Sequence, residues 1–195
     1  FEHRARLGEI RREQNHLVAS GIVGIFKQLY GDSWGPRLEY ILRNVILTLL
    51  EVQGATLYDA LRLMSDAKYR KAILVEVKDT VILNFWHNEF DRMQDRQQTE
   101  AIAPIQNKLG QFVTSPMIRN IIAHPKSSID LAEIMNEGKI LLINLSQGKL
   151  GEDNASLLGA MFITQIQIAA MGRSFQKEEE RKDFFLYVDE FQNFA

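Results

Sequence analysis

Two adjacent carboxylates, Asp189 and Glu190, come directly after the apolar run of residues 184–188. An apolar run of this length, bounded by the charged residues 177–183, is typical of a strand that is buried on both faces. In open α/β sheets, ligands bind at the carboxyl ends of the strands. The sequence therefore places the acid pair where a parallel sheet would offer it to a ligand.

The chemistry that suits this pair is phosphoryl transfer. Asp189 would hold Mg²⁺ on a nucleotide, usually through water, because magnesium keeps much of its hydration shell. Glu190 would orient and polarise the attacking water. This is the pattern of a Walker B segment in a P-loop ATPase. A helix-capping or surface acid pair is the alternative reading, because apolar strands often end in Asp or Glu. A metal-dependent nuclease that uses the same two acids lacks a further carboxylate or histidine at suitable spacing.

The composition is that of a chain that can bury a core. Of its 195 residues, 46% are hydrophobic and 25% are charged, which excludes a disordered segment. The formal charge of −2 argues against a nucleic-acid-binding surface that is basic over the whole chain, but it does not exclude a local basic surface. The absence of cysteine excludes disulfides and thiolate chemistry and suits a cytoplasmic protein.

Residues 1–127 are predicted to form a helical block. Its most regular helix follows Pro36, where apolar residues recur at helical spacing over residues 38–50. Pro36 fits the first turn of that helix, because its missing N–H has no partner there in any case. Arg37 and Arg43 lie off the apolar stripe, and either a surface charge or a phosphate or DNA contact fits them.

Residues 128–195 have a different pattern, which predicts an α/β fold. Residues 139–145 form a second apolar run, and residues 155–171 form a helix that is apolar nearly all round. Strand, helix and strand over about fifty residues make a βαβ unit, so we expect two adjacent parallel strands with a right-handed crossover. The helix lies on one face of this pair.

No segment is predicted to cross a membrane, and no signal peptide is expected. The longest apolar stretch, residues 157–171, is interrupted by Thr164, Gln165 and Gln167. The chain opens without an initiator Met and ends five residues after Glu190. We therefore expect a piece of a larger protein.

Three segments resemble one known family. They are SWGPRLEYILRN at residues 33–44, GKILLINLS at residues 138–146 and YVDEFQNFA at residues 187–195. In this order they are similar to the TraG/TraD-like conjugative coupling proteins of type IV secretion, within the HerA/FtsK superfamily of P-loop DNA translocases. The sequence GEDN at residues 151–154, which opens a long helix, fits as well.

The resemblance implies a Mg-ATP-driven, hexameric motor that moves DNA. Family members carry an all-helical domain inserted between Walker A and Walker B, and the helical block is similar to that insertion. By resemblance, Asp189 binds the Mg²⁺–nucleotide cofactor through water and Glu190 is the catalytic acid. Relaxosome or secretion-channel proteins are implied as partners. The nucleic-acid contacts and the arginine finger have no match to a particular residue. The implied location is cytoplasmic, and the full-length protein could reach a membrane through other regions.

One element of the family pattern is missing. A phosphate-binding loop needs G-x-x-x-x-G-K-[ST], and neither Gly138-Lys139 nor Gly148-Lys149 satisfies it. We expect the loop upstream of Phe1, so this chain would hold half a catalytic site and would not hydrolyse ATP alone. The competing hypothesis, from another class, is a non-catalytic helical module that binds protein or DNA.

Overall fold

The computed structural model describes residues 2–191, with the side chains of all of them except residues 2–12, Asp32 and Phe175. The structure is 72% helical. In chain order, the α-helices of the described part are α1 (Glu2–Tyr30), α2 (Pro36–Glu51), α3 (Asp59–Ser65), α4 (Ala67–Leu74), α5 (Thr80–Asn84), α6 (Asp95–Thr114), α7 (Pro116–Ile122), α8 (Leu131–Glu137), α9 (Gln147–Leu150) and α10 (Glu152–Gly172).

The chain divides into two compact units. The first unit contains the residues up to Val23 together with Tyr30–Lys126. The second contains Gly24–Leu29 together with the residues from Ser127 onward.

Helix α2 is at the centre of the first unit, as its apolar spacing predicts. Pro36 is in its first turn, and the helix ends where the backbone of Val52 becomes extended. Its buried face contacts α3, α5 and α6. That face consists of Leu38, Ile41, Leu42, Asn44, Val45, Ile46, Leu47, Thr48 and Leu49. Burial of so many aliphatic side chains, each of which contributes about 1.5–3 kcal/mol, makes α2 the main source of stability in this unit.

An aromatic cluster on a π-helical turn, Phe85–Phe90, completes the core of the first unit. Phe85, Trp86 and Phe90 are at most 1% exposed, and their rings meet edge to face or tilted with centroids 4.9 to 5.9 Å apart. The guanidinium of Arg70 lies over two of these rings, 5.0 Å from the Phe90 centroid and 5.6 Å from that of Trp86. Its charge is neutralised by Asp91, whose carboxylate lies 2.8 Å away.

The second unit is organised around α10, which contacts α8 and α9. Helix α8 begins after Asp130, whose side chain accepts a hydrogen bond from the Glu133 N–H, and it ends at Gly138. Gly138 has a φ of +72°, a left-handed conformation that favours glycine at a helix end. Met135 of α8 is fully buried, as are several residues in the first half of α10.

Among the described residues, α10 is the one helix that is long and apolar enough to cross a bilayer by length and composition. The core helix of a globular unit can have the same length and apolar composition. The buried residues of α10 in this unit are Ala155, Leu157, Leu158, Gly159, Ala160 and Ile166.

The predicted α/β fold is wrong. Residues 2–191 contain no β-strand and no sheet, so the parallel βαβ unit is absent and the chain is not a P-loop α/β fold. Residues 139–146 and 181–188 have no regular secondary structure. Within the described part of the chain, residues 140–145 and 183–188 form no backbone–backbone hydrogen bond.

The physical reason for this correction is that a strand requires a hydrogen-bonded neighbour, and an apolar run does not specify one. Ile140 and Leu142 are each 90% exposed, and Tyr187 is 89% exposed. Leu141 and Leu145 are half-buried, and Ile143 between them is 37% exposed. The run is therefore only partly covered, which differs from the burial on both faces that its sequence predicted.

Candidate functional site

The acid pair lies in a cavity of about 550 Å³ within the second unit. The segments 143–147 and 186–190 form two of its walls, and α10 forms the third through Gly159, Phe162, Ile163 and Ile166. The two apolar runs are therefore not paired as strands, but they line the same cavity. Its volume is that of a site for a small molecule.

Asp189 and Glu190 form the turn that ends the second wall. Both side chains are exposed. Glu190 has a φ of +52°, and no other residue besides glycine in the described part of the chain has a positive φ. A side chain in this region costs backbone free energy, and such residues cluster at ligand-binding and active sites. The turn therefore holds Glu190 in a conformation that its residue type does not favour. The assignment of Asp189 and Glu190 as cofactor-binding and catalytic residues stays a prediction.

The first wall contributes neutral polar side chains from Asn144, Ser146 and Gln147. The side-chain oxygen of Asn144 accepts a hydrogen bond of 3.1 Å from the Ser146 N–H. The Ser146 carbonyl accepts hydrogen bonds from the N–H groups of Lys149 and Leu150, which begins α9. The backbone of Ser146 is thus held on both sides.

Neither lysine of the two Gly-Lys pairs is placed as a phosphate-binding lysine. The ammonium of Lys139 lies 2.7 Å from a carboxylate oxygen of Glu133 and 2.6 Å from one of Glu137. Hydrogen bonds to Glu133 and then to Glu137 raise the pKa of Lys139 above its ordinary value. Lys149 lies in the short helix α9 and does not line the cavity.

The oxygen atoms that line the cavity suit a hard cation that binds both the protein and a ligand. All of the cavity's acidic and amide groups offer oxygen, which Mg²⁺ prefers. The described residues contain no group of three or more His, Cys, Asp or Glu side chains that could hold a metal by themselves. Two carboxylates are too few for a cage made by protein alone, but Mg²⁺ often binds through one or two carboxylates together with water and substrate phosphates. Asp189 would hold such an ion through water, and Glu190 would stay available to the attacking water.

Sequence reasoning missed the contribution of the first wall. Asn144 was predicted only as part of the apolar run at residues 139–145 and Ser146 only as a residue that follows it, with no role at the site. The signal that could have found them is Asn-x-Ser, because an Asn side chain commonly accepts from the backbone two residues later and fixes a turn. The last four residues of the third resembling segment, 192–195, lie outside the described residues.

Comparison with protein-family models, with curated proteins and with solved structures found no match to this chain.

Proposed function

We propose that this chain is part of a Mg-ATP-driven motor that moves DNA, of the coupling type found in conjugation and type IV secretion. Asp189 would bind the magnesium–nucleotide cofactor through water, and Glu190 would act as the catalytic carboxylate that orients and polarises the attacking water. The observation that carries the proposal is the cavity in the second unit, which is bordered by both carboxylates and by neutral polar side chains.

The chemistry of the two acids follows from their positions. Bound Mg²⁺ would neutralise charge on the phosphates, the part of phosphoryl transfer that a carboxylate cannot supply. Asp189 provides an oxygen that can accept a hydrogen bond from a water of the ion. Glu190, next to it in the same turn, can accept a proton from the attacking water and fix its direction. Both acids reach the cavity from a turn, so their position does not require a sheet within this chain.

The remaining parts of the motor come from outside the described residues in this proposal. These are the phosphate-binding loop with its lysine, the other subunits of a hexamer and the DNA. Relaxosome or secretion-channel proteins are the proposed protein partners, and the cytoplasm is the proposed location.

Paired measurements on the full-length protein test the proposal. Asp189→Ala should weaken the binding of ATP in the presence of Mg²⁺. Glu190→Gln keeps the size of the side chain but removes the basic carboxylate, so ATP should still bind while steady-state hydrolysis falls about 100-fold or more. ATP affinity and DNA-stimulated hydrolysis are measured for the wild type and both variants.

Matched controls come from the same segment. Asp183→Ala and Glu180→Gln remove exposed carboxylates that do not line the cavity, and both should leave ATP affinity and hydrolysis unchanged. If Glu190→Gln retained the hydrolysis rate of the wild type, Glu190 would not be the catalytic acid. If the full-length wild type neither bound nor hydrolysed ATP, the motor function would be excluded.

A non-catalytic helical module that binds protein or DNA is the second candidate. The helical first unit favours it, because this unit builds its core from α2, its neighbouring helices and the aromatic cluster. DNA or protein binding by the full-length protein without any ATP binding would support this candidate over the motor.

A further inference from the structure

We propose that Ser146 contacts the ligand in this cavity and that its hydroxyl donates a hydrogen bond to a phosphate oxygen of the nucleotide. The inference rests on the proposed function, because it concerns the same cavity. It adds a ligand-binding residue on the wall formed by residues 143–147, a segment with no site role in the sequence analysis.

A phosphate-bearing ligand needs hydrogen-bond donors, and the acid pair provides none when ionised. Within this cavity, neutral side chains can supply them. The cavity offers the Ser146 hydroxyl, the amides of Asn144 and Gln147 and the phenol of Tyr187. Ser146 is the donor among these whose backbone is held by hydrogen bonds on both sides.

The backbone of Ser146 is held by three hydrogen bonds. Its N–H donates to the Asn144 side chain over 3.1 Å. Its carbonyl accepts from Lys149 N–H over 3.0 Å and from Leu150 N–H over 3.1 Å. The hydroxyl is one rotatable bond from this fixed backbone. The amide of Gln147 is separated from its backbone by three such bonds, and its ordering on a ligand costs more entropy.

The Ser146 hydroxyl is not used to stabilise the helix that it precedes. Serine at this position commonly accepts a hydrogen bond from the first turn of the helix, but the Ser146 side chain makes no such bond. It makes no hydrogen bond to any other described residue, and it is exposed within the cavity. An exposed lining residue on a fixed backbone, with a hydroxyl that makes no hydrogen bond within the described part of the chain, can turn that hydroxyl to a ligand at little cost.

The test compares Ser146→Ala, Ser146→Thr and Ser174→Ala in the full-length protein, with ATP and Mg²⁺ as the probe. Ser146→Ala should weaken ATP binding about tenfold, the loss expected for a hydrogen bond to a charged group. Ser146→Thr keeps a hydroxyl and should bind within about twofold of the wild type. Ser174 is exposed in the same unit and does not line the cavity, so Ser174→Ala should bind as the wild type does. Thermal unfolding of each variant identifies any loss that comes from misfolding.

The outcomes separate this inference from the proposed function. Wild-type affinity in Ser146→Ala, together with weaker binding in Asp189→Ala, would overturn the role of Ser146 and leave the motor function in place. Weaker binding in Ser146→Ala with an unaffected Asp189→Ala would support Ser146 and remove the role of Asp189. If neither change affected ATP binding, both assignments would be wrong. An equal loss in Ser146→Thr and Ser146→Ala would also overturn the role of the hydroxyl.

Discussion

Trp86 donates its indole N–H to the hydroxyl of Thr48 over 2.8 Å, inside the core of the first unit. Both residues are fully buried, and Thr48 in turn donates to the carbonyl of Asn44 over 2.6 Å. The bond joins α2 to the aromatic cluster, although Thr48 and Trp86 are 38 positions apart in the chain. A large ring with one polar atom can be buried here because that atom has a partner.

Thr48→Val should destabilise the protein by about 1–3 kcal/mol. Valine has nearly the same shape but cannot accept a hydrogen bond, so the indole N–H would be buried without a partner. Urea unfolding followed by tryptophan fluorescence measures the change in the free energy of unfolding. Thr114→Val is the control, because Thr114 is exposed and bonds only to the carbonyl of Gln111. Equal stability of the two variants would show that the Trp86–Thr48 bond contributes nothing.

Arg70→Met should lower the free energy of unfolding by about 3 kcal/mol. The Arg70 side chain is 5% exposed, and it donates to Asp91 and to the carbonyls of Leu63 and Met64. The substitution leaves the Asp91 carboxylate, 28% exposed, without its partner. Arg96→Met is the control, because the Arg96–Glu100 pair is on the surface and should contribute no more than about 0.5 kcal/mol. Denaturant titration of both variants gives the comparison, and a loss at Arg70 as small as that at Arg96 would contradict it.

The phenol of Tyr69 should make stability depend on alkaline pH. Burial, and then the hydrogen bond to Asp59, raise the pKa of Tyr69 from 10.0 to about 12 in the folded protein. The neutral phenol is therefore favoured by folding. Its contribution to stability is complete below pH 10 and is lost as the pH rises from 10 towards about 12.

Tyr69→Phe removes this titration, so the melting temperature should fall less steeply above pH 10 than it does in the wild type. Melting curves between pH 8 and pH 12 measure the slope. Tyr58→Phe is the control, because Tyr58 is 43% exposed, and this variant should keep the wild-type slope. Identical slopes in Tyr69→Phe and the wild type would contradict the prediction.

Local signals predicted the helices well. The apolar spacing after Pro36 predicted α2, and the buried face of that helix confirms it. Asp66 and Asp79 show another local signal, because Asp is favoured just before a helix and each side chain accepts from backbone N–H in the first turn of its helix. These features depend on residues a few positions apart, which is the range over which sequence patterns are informative.

Features that depend on distant partners were not predicted. The run at residues 139–145 is apolar enough for a strand, but its pairing depends on a neighbour that the run does not specify. Arg70 was not recognised as buried, because charged residues are usually exposed unless they are paired. Its partner Asp91 is 21 positions away.

The roles assigned to the candidate site stay a prediction. The order of residue types indicated Asp189 and Glu190, and the position of both at one cavity is a finding of the structure. The positive φ of Glu190 had no local signal, because glutamate is not enriched in that conformation. The contribution of Ser146 depends on how the two segments meet at α10, which is a property of the fold.

Glu190→Gly should be more stable than Glu190→Ala by about 1 kcal/mol. Both substitutions remove the whole carboxylate side chain, so their difference reports the backbone alone. At a φ of +52°, a Cβ atom approaches the following carbonyl, and glycine avoids this contact. Denaturant unfolding of the two variants measures the difference. The same pair at Asp183, where the φ is not positive, is the control, and there alanine should be at least as stable as glycine. If alanine were also the more stable residue at position 190, the strained turn would not exist in solution. In the full-length protein, both variants at position 190 should lose ATP hydrolysis to the same extent, because neither retains the carboxylate that the proposed mechanism requires.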